Sequence, residues 1–221
     1  MVHLKGIKIA LLSSTGGAVA RTVIENSDIK FDLVITDREC GAENIATDLN
    51  INLVRINGCS SLELSDDLLR VLKNHNIDYV FVFYTRLLTG ELLNEFKDKL
   101  INFHPSLLPA CPGVDGFGDS VKSGALTIGS TVHYIDQGID TGSQIMQCHC
   151  HVNGRSVTVL RHIIFSQQCA SLLQVFNNIN ENGNVDFKNQ HDGDRFPNDG
   201  ISVATPIFCI EARDLYLSLL K

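Results

Sequence analysis

Four short runs in the first hundred residues are apolar almost without interruption: "IKIALLSS" (7–14), "FDLVITD" (31–37), "DYVFVFY" (78–84) and "LINFH" (100–104). Runs of this length and character are expected of strands covered on both faces. Between them the apolar residues recur at helical spacing. Val19, Val23 and Ile24 do so in "AVARTVIEN", Ile45, Ala46 and Leu49 in "GAENIATDLNI", and Leu68, Leu69, Val71 and Leu72 in "LSDDLLRVLKNHNI". Ser65 is placed to cap the third of these helices and Thr89 to cap a fourth, "TGELLNEFKDK". Strands alternating with helices predict an α/β fold: a Rossmann-like, mostly parallel sheet with helices on both faces.

Beyond residue 104 the pattern changes. "LTIGSTVHYID" and "GSQIMQCHCHV" read as two strands joined by "QGIDT", and a long helix follows over roughly 156–179. The tail predicts a polar loop, "NQHDGDRFPNDG", a short strand in "ISVATPIF" and a final amphipathic stretch, "CIEARDLYLSLL". The expected division is a catalytic domain over 1–183 and a short C-terminal extension over 184–221.

Composition narrows the class. In 221 residues the hydrophobic fraction is 44% and the charged fraction 19%, ample for a buried core. A net charge of −7 gives no basic footprint for a nucleic-acid backbone, and no run approaches the roughly 18 apolar residues of a membrane span. Seven cysteines without a CxxC cannot all pair, which favours a reducing, cytoplasmic setting.

Two motifs invite a metal and resist it. In "CHCH" (148–151) strand alternation sends Cys148 and Cys150 to one face and His149 and His151 to the other, two ligands short of a tetrahedral site on either. "HDGDRFPNDG" (191–200) lacks the spacing and terminal Glu of a calcium loop and reads as a solvated connector. No metal is expected.

Three places could carry chemistry. "SSTGGAVAR" follows the first strand and opens a helix, and backbone N–H groups beside Gly16 and Gly17 suit a phosphate. The same residues also make an ordinary tight strand-to-helix turn. "LINFHPSLLPACPG" ends a buried strand on Asn102 and His104 and then places three prolines within eight residues. "DQGIDTG" offers Asp140, with Asp136 as the competing carboxylate, in a turn whose glycines permit unusual backbone geometry. An Asn donor, a His and an Asp near the carboxyl ends of strands suit carbonyl chemistry. The first two can stabilise an oxyanion, and the third can orient the imidazole or move protons. An Asn and a His that only satisfy backbone groups before a proline-rich turn would look the same.

"NFHPSLLPACPG" followed by "GSTVHYIDQGIDTG" resembles the formyltransferases that use 10-formyltetrahydrofolate, from the first strand to about residue 180. It is most similar to the branch acting on glycinamide ribonucleotide. The resemblance implies the formyltransferase fold and an acceptor amine that attacks the formyl carbon of the folate. It implies Asn102, His104 and Asp140 as the catalytic trio, with Asp140 keeping His104 charged and passing the proton to N10 of the leaving folate. Arg86, Leu87 and Leu88 would flank the pterin, with Leu100, Ile135, Asp136 and Gly138 completing the donor site. Ser14, Thr15, Gly16, Gly17, Tyr84, Thr85 and Gln167 fall at acceptor positions. Several of these depart from the branch pattern. The Ser and Asn of its phosphate loop are Gly17 and Ala18 here, its Glu for the ribose aligns with Gln167, and its Gly-Phe-Met is Phe83, Tyr84 and Thr85.

The departures favour a nucleotide-linked amino sugar as acceptor, with glycinamide ribonucleotide as the alternative. A third reading is folate binding or hydrolysis of 10-formyltetrahydrofolate. It is disfavoured because the first strand begins almost at Met1, leaving no room for the regulatory domain that usually precedes the hydrolase. A small-molecule amine and the folate are the expected partners, with a homodimer as a further expectation.

Overall fold

The computed structural model describes residues 6–185 and 203–221. The first strand, β1 (Ile9–Ser13), is buried at every position. It runs parallel to β2 (Leu33–Thr36) on one side and to β4 (Tyr79–Phe83) on the other, with Leu11 opposite both Val34 and Phe81. β3 (Asn52–Arg55) extends the sheet beyond β2, and β5 (Leu100–His104) lies beyond β4, both parallel to their neighbours. β6 (Thr127–Tyr134), β7 (Gln144–His151) and β8 (Val203–Thr205) follow, with β7 antiparallel to both β6 and β8. Among the described residues the eight strands are ordered β3-β2-β1-β4-β5-β6-β7-β8.

The chain divides into two compact units. One holds Lys5–Asn102 together with Tyr134–Ser143. Its helices are α1 (Ala18–Glu25), α2 (Ala42–Leu49), α3 (Ser61–His75) and α4 (Glu91–Glu95). Alternation along the strands sorts the core by face. Ala10 and Leu12 of β1, Leu33 and Ile35 of β2, and Val80 and Val82 of β4 pack with Leu64, Leu68 and Leu72 of α3 and with Leu92 of α4. Each large side chain among them contributes roughly 1.5–3 kcal/mol on burial. The outer strand β3 is mostly exposed, and Arg55 ties it down by a two-nitrogen ion pair to Glu43 of α2 (2.9 and 2.7 Å).

The other unit holds Phe103–His133 and Gln144–Lys221. It contains α5 (Gly116–Lys122), α6 (Val157–Asn182) and α7 (Ile210–Leu219). Phe117 of α5, Ile128 of β6, Cys150 of β7 and Leu160, Ile163 and Ile164 of α6 form one cluster, with the Arg161 guanidinium 4.2 Å above the Phe117 ring. Further along, α6 is buried almost all round: Cys169, Ala170, Ser171, Leu172, Leu173, Gln174 and Val175 are consecutive and all buried. A helix covered on every side needs no apolar stripe. Its partner α7 is joined to it by the His162 imidazole, which donates to the Leu219 carbonyl (2.6 Å), and by Gln174, whose amide oxygen accepts from the Cys209 N–H.

The expected strands and helices are present, with corrections at their ends. The third helix starts earlier than its apolar spacing suggests. Ser60, not Ser65, is its cap, paired with Glu63 in a reciprocal capping box, while Ser65 lies inside the helix and accepts the Thr89 N–H (2.9 Å). Thr89 caps nothing, because Gly90 occupies the cap position of α4, which is only five residues long. Apolar spacing foresees neither β3 nor α5. The first has four largely exposed residues, and the second reads "GFGDSVK", with no apolar periodicity and a helix start held by the Asp115 carboxylate on the Gly118 N–H (3.1 Å). The alternation of "CHCH" holds, with Cys148 and Cys150 buried, His149 intermediate and His151 exposed. Burial pushes the Cys148 thiol up to about 12 and Cys150 up to about 11, as expected of core thiols. The loop at 191–200 lies outside the described residues. Among the described residues no helix is long and apolar enough to cross a membrane, and no group of three or more His, Cys, Asp or Glu is placed to hold a metal.

Candidate active site

In the first unit, the loops leaving the carboxyl ends of β1, β2 and β4 come together. The Ser14 N–H donates to the Phe83 carbonyl (3.2 Å), and its hydroxyl lies 3.1 Å from that of Thr85 and accepts the Thr85 N–H (3.2 Å). The Ala42 N–H donates to the Thr15 carbonyl (3.1 Å). A Cβ on Gly41 would lie 3.0 Å from the Gly16 Cα, so the two loops touch backbone to backbone there. Gly17 is left-handed (φ 68) and begins α1 without a capping side chain. Its own Cβ would meet Ile45 at 2.7 Å, so both the turn and the packing call for glycine. Ser14, Thr15, Gly16, Gly17 and Thr85 thus lie around one helix start, where anions are favoured.

Tyr84 and Arg86 frame a second feature of this edge. The Asp37 side chain is 1% exposed, bound through two oxygens by Arg38 (2.9 and 2.7 Å) and approached by Arg86 at 3.9 Å. Burial raises the Asp37 pKa, but the Arg38 hydrogen bonds and charge more than offset it, and the carboxyl lies below its ordinary value near 3.8. Burial, then the Asp37 charge, drives the Tyr84 phenol upward, and its buried Oη makes no hydrogen bond of normal geometry among the described residues. Because the folded pKa of Asp37 is depressed, its contribution to stability is present above the unfolded value and is lost as pH falls through the folded one. Asp37→Asn is therefore expected to cost a few degrees of Tm at pH 7, roughly 1 kcal/mol. The gap from wild type should close below pH 3.8 in thermal melts across that range.

The donor-side positions take different surroundings. Leu87 is 43% exposed, whereas Leu88 is 2% exposed and its side chain is committed to the core with Leu64 and Leu92. Leu100 is buried, and its carbonyl accepts the Ile135 N–H (2.9 Å). The turn after Ile135 is closed from inside by Asp136, whose Oδ1 accepts from the Gly138 N–H (3.0 Å) and the Thr141 hydroxyl (2.7 Å). Asp136 thus builds the turn from inside. Asp140 sits in it, half-buried, with a left-handed backbone (φ 54). Aspartate tolerates that conformation better than most residues, and such positions concentrate at functional sites.

Asn102 and His104 end β5 two residues apart and so project from the same face of that strand. Asn102 is half-buried. His104 is 4% exposed, its Nε2 lies 2.9 Å from the Cys111 carbonyl, and its ring stands edge-on to that of His133 at 6.5 Å. The proline-rich loop between His104 and Cys111 is held by more than its prolines. The Thr131 hydroxyl donates to the Ser106 carbonyl (2.7 Å) and accepts the Leu108 N–H (3.1 Å). The side-chain amides of Gln144 and Gln147 both donate to the Leu108 carbonyl (3.0 and 2.8 Å), and that of Gln168 donates to the Phe103 carbonyl (2.9 Å). Sequence reasoning missed Thr131, Gln144, Gln147 and Gln168. The signal available was a polar pair, Thr131 and Gln147, facing each other across the β6–β7 pair. Gln167 itself is fully buried and accepts from the Ser130 hydroxyl (3.3 Å).

The chain belongs to the formyl transferase family, whose model matches residues 7–161. Relatives within that family make the likeness more particular. A phosphoribosylglycinamide formyltransferase of Mycobacterium tuberculosis is 30% identical over 148 residues, which cover 63% of this chain and 69% of that protein. The protein of the same name from Bacillus subtilis is 44% identical over 77 residues, 34% of this chain, and the match spans only 40% of its length. Among solved structures, glycinamide ribonucleotide transformylase 1 from Symbiobacterium toebii superposes with a TM-score of 0.68 at 28% identity, over 74% of this chain and 82% of that one.

Proposed function

We propose that the chain transfers a formyl group from 10-formyltetrahydrofolate to the primary amine of glycinamide ribonucleotide. The 44% identity to a phosphoribosylglycinamide formyltransferase carries the choice of acceptor. The amino-sugar acceptor expected from Gly17, Ala18 and Gln167 has no support among the relatives described above, so the departures at Gly17 and Ala18 are better read as variation within a phosphate-binding loop. A helix start led by Gly16 and Gly17 can hold a phosphate through backbone N–H groups alone, with Ser14, Thr15 and Thr85 at its margin. Tyr84 stays with the acceptor side, whereas Gln167, fully buried beside Ser130, presents no surface to a ligand.

In this reading the folate pterin lies against Arg86, Leu87 and Leu88 and the 135–138 turn, with Leu100 beneath. The amine lone pair attacks the formyl carbon, and the carbonyl becomes an oxyanion that the Asn102 amide and the His104 imidazole stabilise. Asp140 assists the proton's passage from the attacking nitrogen to N10, and the N10–formyl bond breaks.

Release of tetrahydrofolate, followed spectroscopically with separate acceptors, tests the proposal. Rapid turnover with glycinamide ribonucleotide is expected, with little release when no amine is present. Turnover with a nucleotide-linked 4-amino-4,6-dideoxyhexose alone would overturn the choice of acceptor, and equal release without any amine would make the chain a hydrolase.

A further inference from the structure

Gly116, the first residue of α5, leaves no room for a side chain. A Cβ there would lie 2.5 Å from His104 Nε2, 2.8 Å from its Cε1 and 3.2 Å from the Cys111 carbonyl oxygen. The two ring contacts, under 3.0 Å, force something to move, the ring is 4% exposed, and the backbone carbonyl at 3.2 Å is itself tight. Neither is the loose end of a flexible side chain. Gly116 has no positive φ, so its lack of a side chain answers to this contact and not to its backbone conformation.

The Cys111 carbonyl is itself held in place. Cys111 adopts a left-handed backbone (φ 53), uncommon for any residue other than glycine or asparagine. The Ser106 hydroxyl lies 2.7 Å from the Ala110 carbonyl oxygen and 3.1 Å from that of Cys111. A carbonyl oxygen only accepts, so the 2.9 Å contact requires a proton on His104 Nε2 whether the ring is neutral or charged. A proton that the ring gains or loses must then be carried on Nδ1.

We propose that Gly116 is a positioning residue for His104. With the Cys111 carbonyl it fixes the imidazole with one proton on Nε2 and makes Nδ1 the nitrogen through which the ring stabilises the oxyanion during formyl transfer. The role in transfer rests on the reading of His104 given above, whereas the orientation of the ring does not.

Two measurements test it. In the 15N spectrum of histidine-labelled protein, at a pH where the ring is neutral, His104 should be the Nε2–H tautomer. A neutral ring with its proton on Nδ1 overturns the proposal, whatever happens to activity. Gly116→Ala should lower kcat about 100-fold, the scale of a 1 Å misplacement of a catalytic group, with KM for folate and amine within about two-fold. Gly124→Ala is the control for destabilisation alone. Gly124 lies in the same unit with φ +71, and its Cβ would meet nothing within 4 Å. That variant should lose stability through backbone strain and keep kcat. Retention of kcat within about two-fold by Gly116→Ala, or an equal loss in both variants, would overturn the positioning role. Should His104→Ala retain activity, the catalytic reading fails, while the tautomer is still decided by the spectrum.

Discussion

His104→Ala is expected to lower kcat about a thousand-fold, within the range set by removing a positioned acid–base group. The same substitution strips the Cys111 carbonyl of its ring donor and opens space beside Gly116. A stability loss of roughly 1–3 kcal/mol should accompany the rate loss, since a buried ring is deleted and the half-buried Cys111 carbonyl keeps only the Ser106 hydroxyl as a donor. The two effects separate on measurement. Kinetics at a temperature well below the melt of the variant report chemistry, and a thermal melt reports the loss of packing. Asn102→Ala should cost about 100-fold to 1000-fold, the usual size of one oxyanion donor, with less change in Tm because Asn102 is only half-buried. If both residues serve the same oxyanion, the double variant should fall little further than His104→Ala. A His104→Ala enzyme with near-normal kcat would remove the imidazole from the mechanism.

Much of this arrangement is legible in the sequence. β1, β2, β4 and β5 announce themselves because a strand buried on both faces has no polar position to interrupt its apolar run. α3 is legible by its spacing, but its start is not. Ser60 and Glu63 make the capping signature, yet Leu62 and Leu64 inside the helix's first turn obscure where the apolar face begins. β3 and α5 are opaque for opposite reasons. The first is an outer strand pinned by the Arg55–Glu43 pair, and the second is a glycine-rich turn of helix held at its start by Asp115. Neither relies on apolar periodicity.

The candidate site divides along similar lines. Asn102, His104 and Asp140 are legible as residue types at strand ends, and the family resemblance implies the roles proposed for them. Their support is not legible, since it depends on contacts distant in sequence. Ser106 is tied to Thr131, and Leu108 to both Gln144 and Gln147. Prolines in the loop suggest stiffness, but the stiffness also comes from these side chains of β6 and β7. The need for glycine at 116 has no local cause at all. It follows from where the His104 ring lies, which no pattern in "GVDGFGD" discloses.

Asp140→Asn is the second substitution expected to have a large effect, and the backbone makes it a clean one. Asp140 has φ 54, and asparagine accepts that left-handed conformation as readily as aspartate does, whereas alanine would add strain. Within the turn, Asp136 accepts hydrogen bonds from the Gly138 N–H and the Thr141 hydroxyl. Asparagine should keep the backbone of the turn and remove the charge. A loss of about a thousand-fold in kcat is expected, with Tm within about two degrees of wild type. Gly142→Ala provides the contrast. Its Cβ would lie 1.8 Å from the Tyr134 carbonyl oxygen, and that backbone cannot give way without moving the turn. This variant should lose both stability, by about 1–3 kcal/mol, and rate. A pattern in which Asp140→Asn loses rate alone and Gly142→Ala loses both would assign the charge to chemistry and the turn to its placement. Near-normal turnover by Asp140→Asn would instead leave the carboxylate no part in proton transfer, and the backbone of the turn would be its whole contribution.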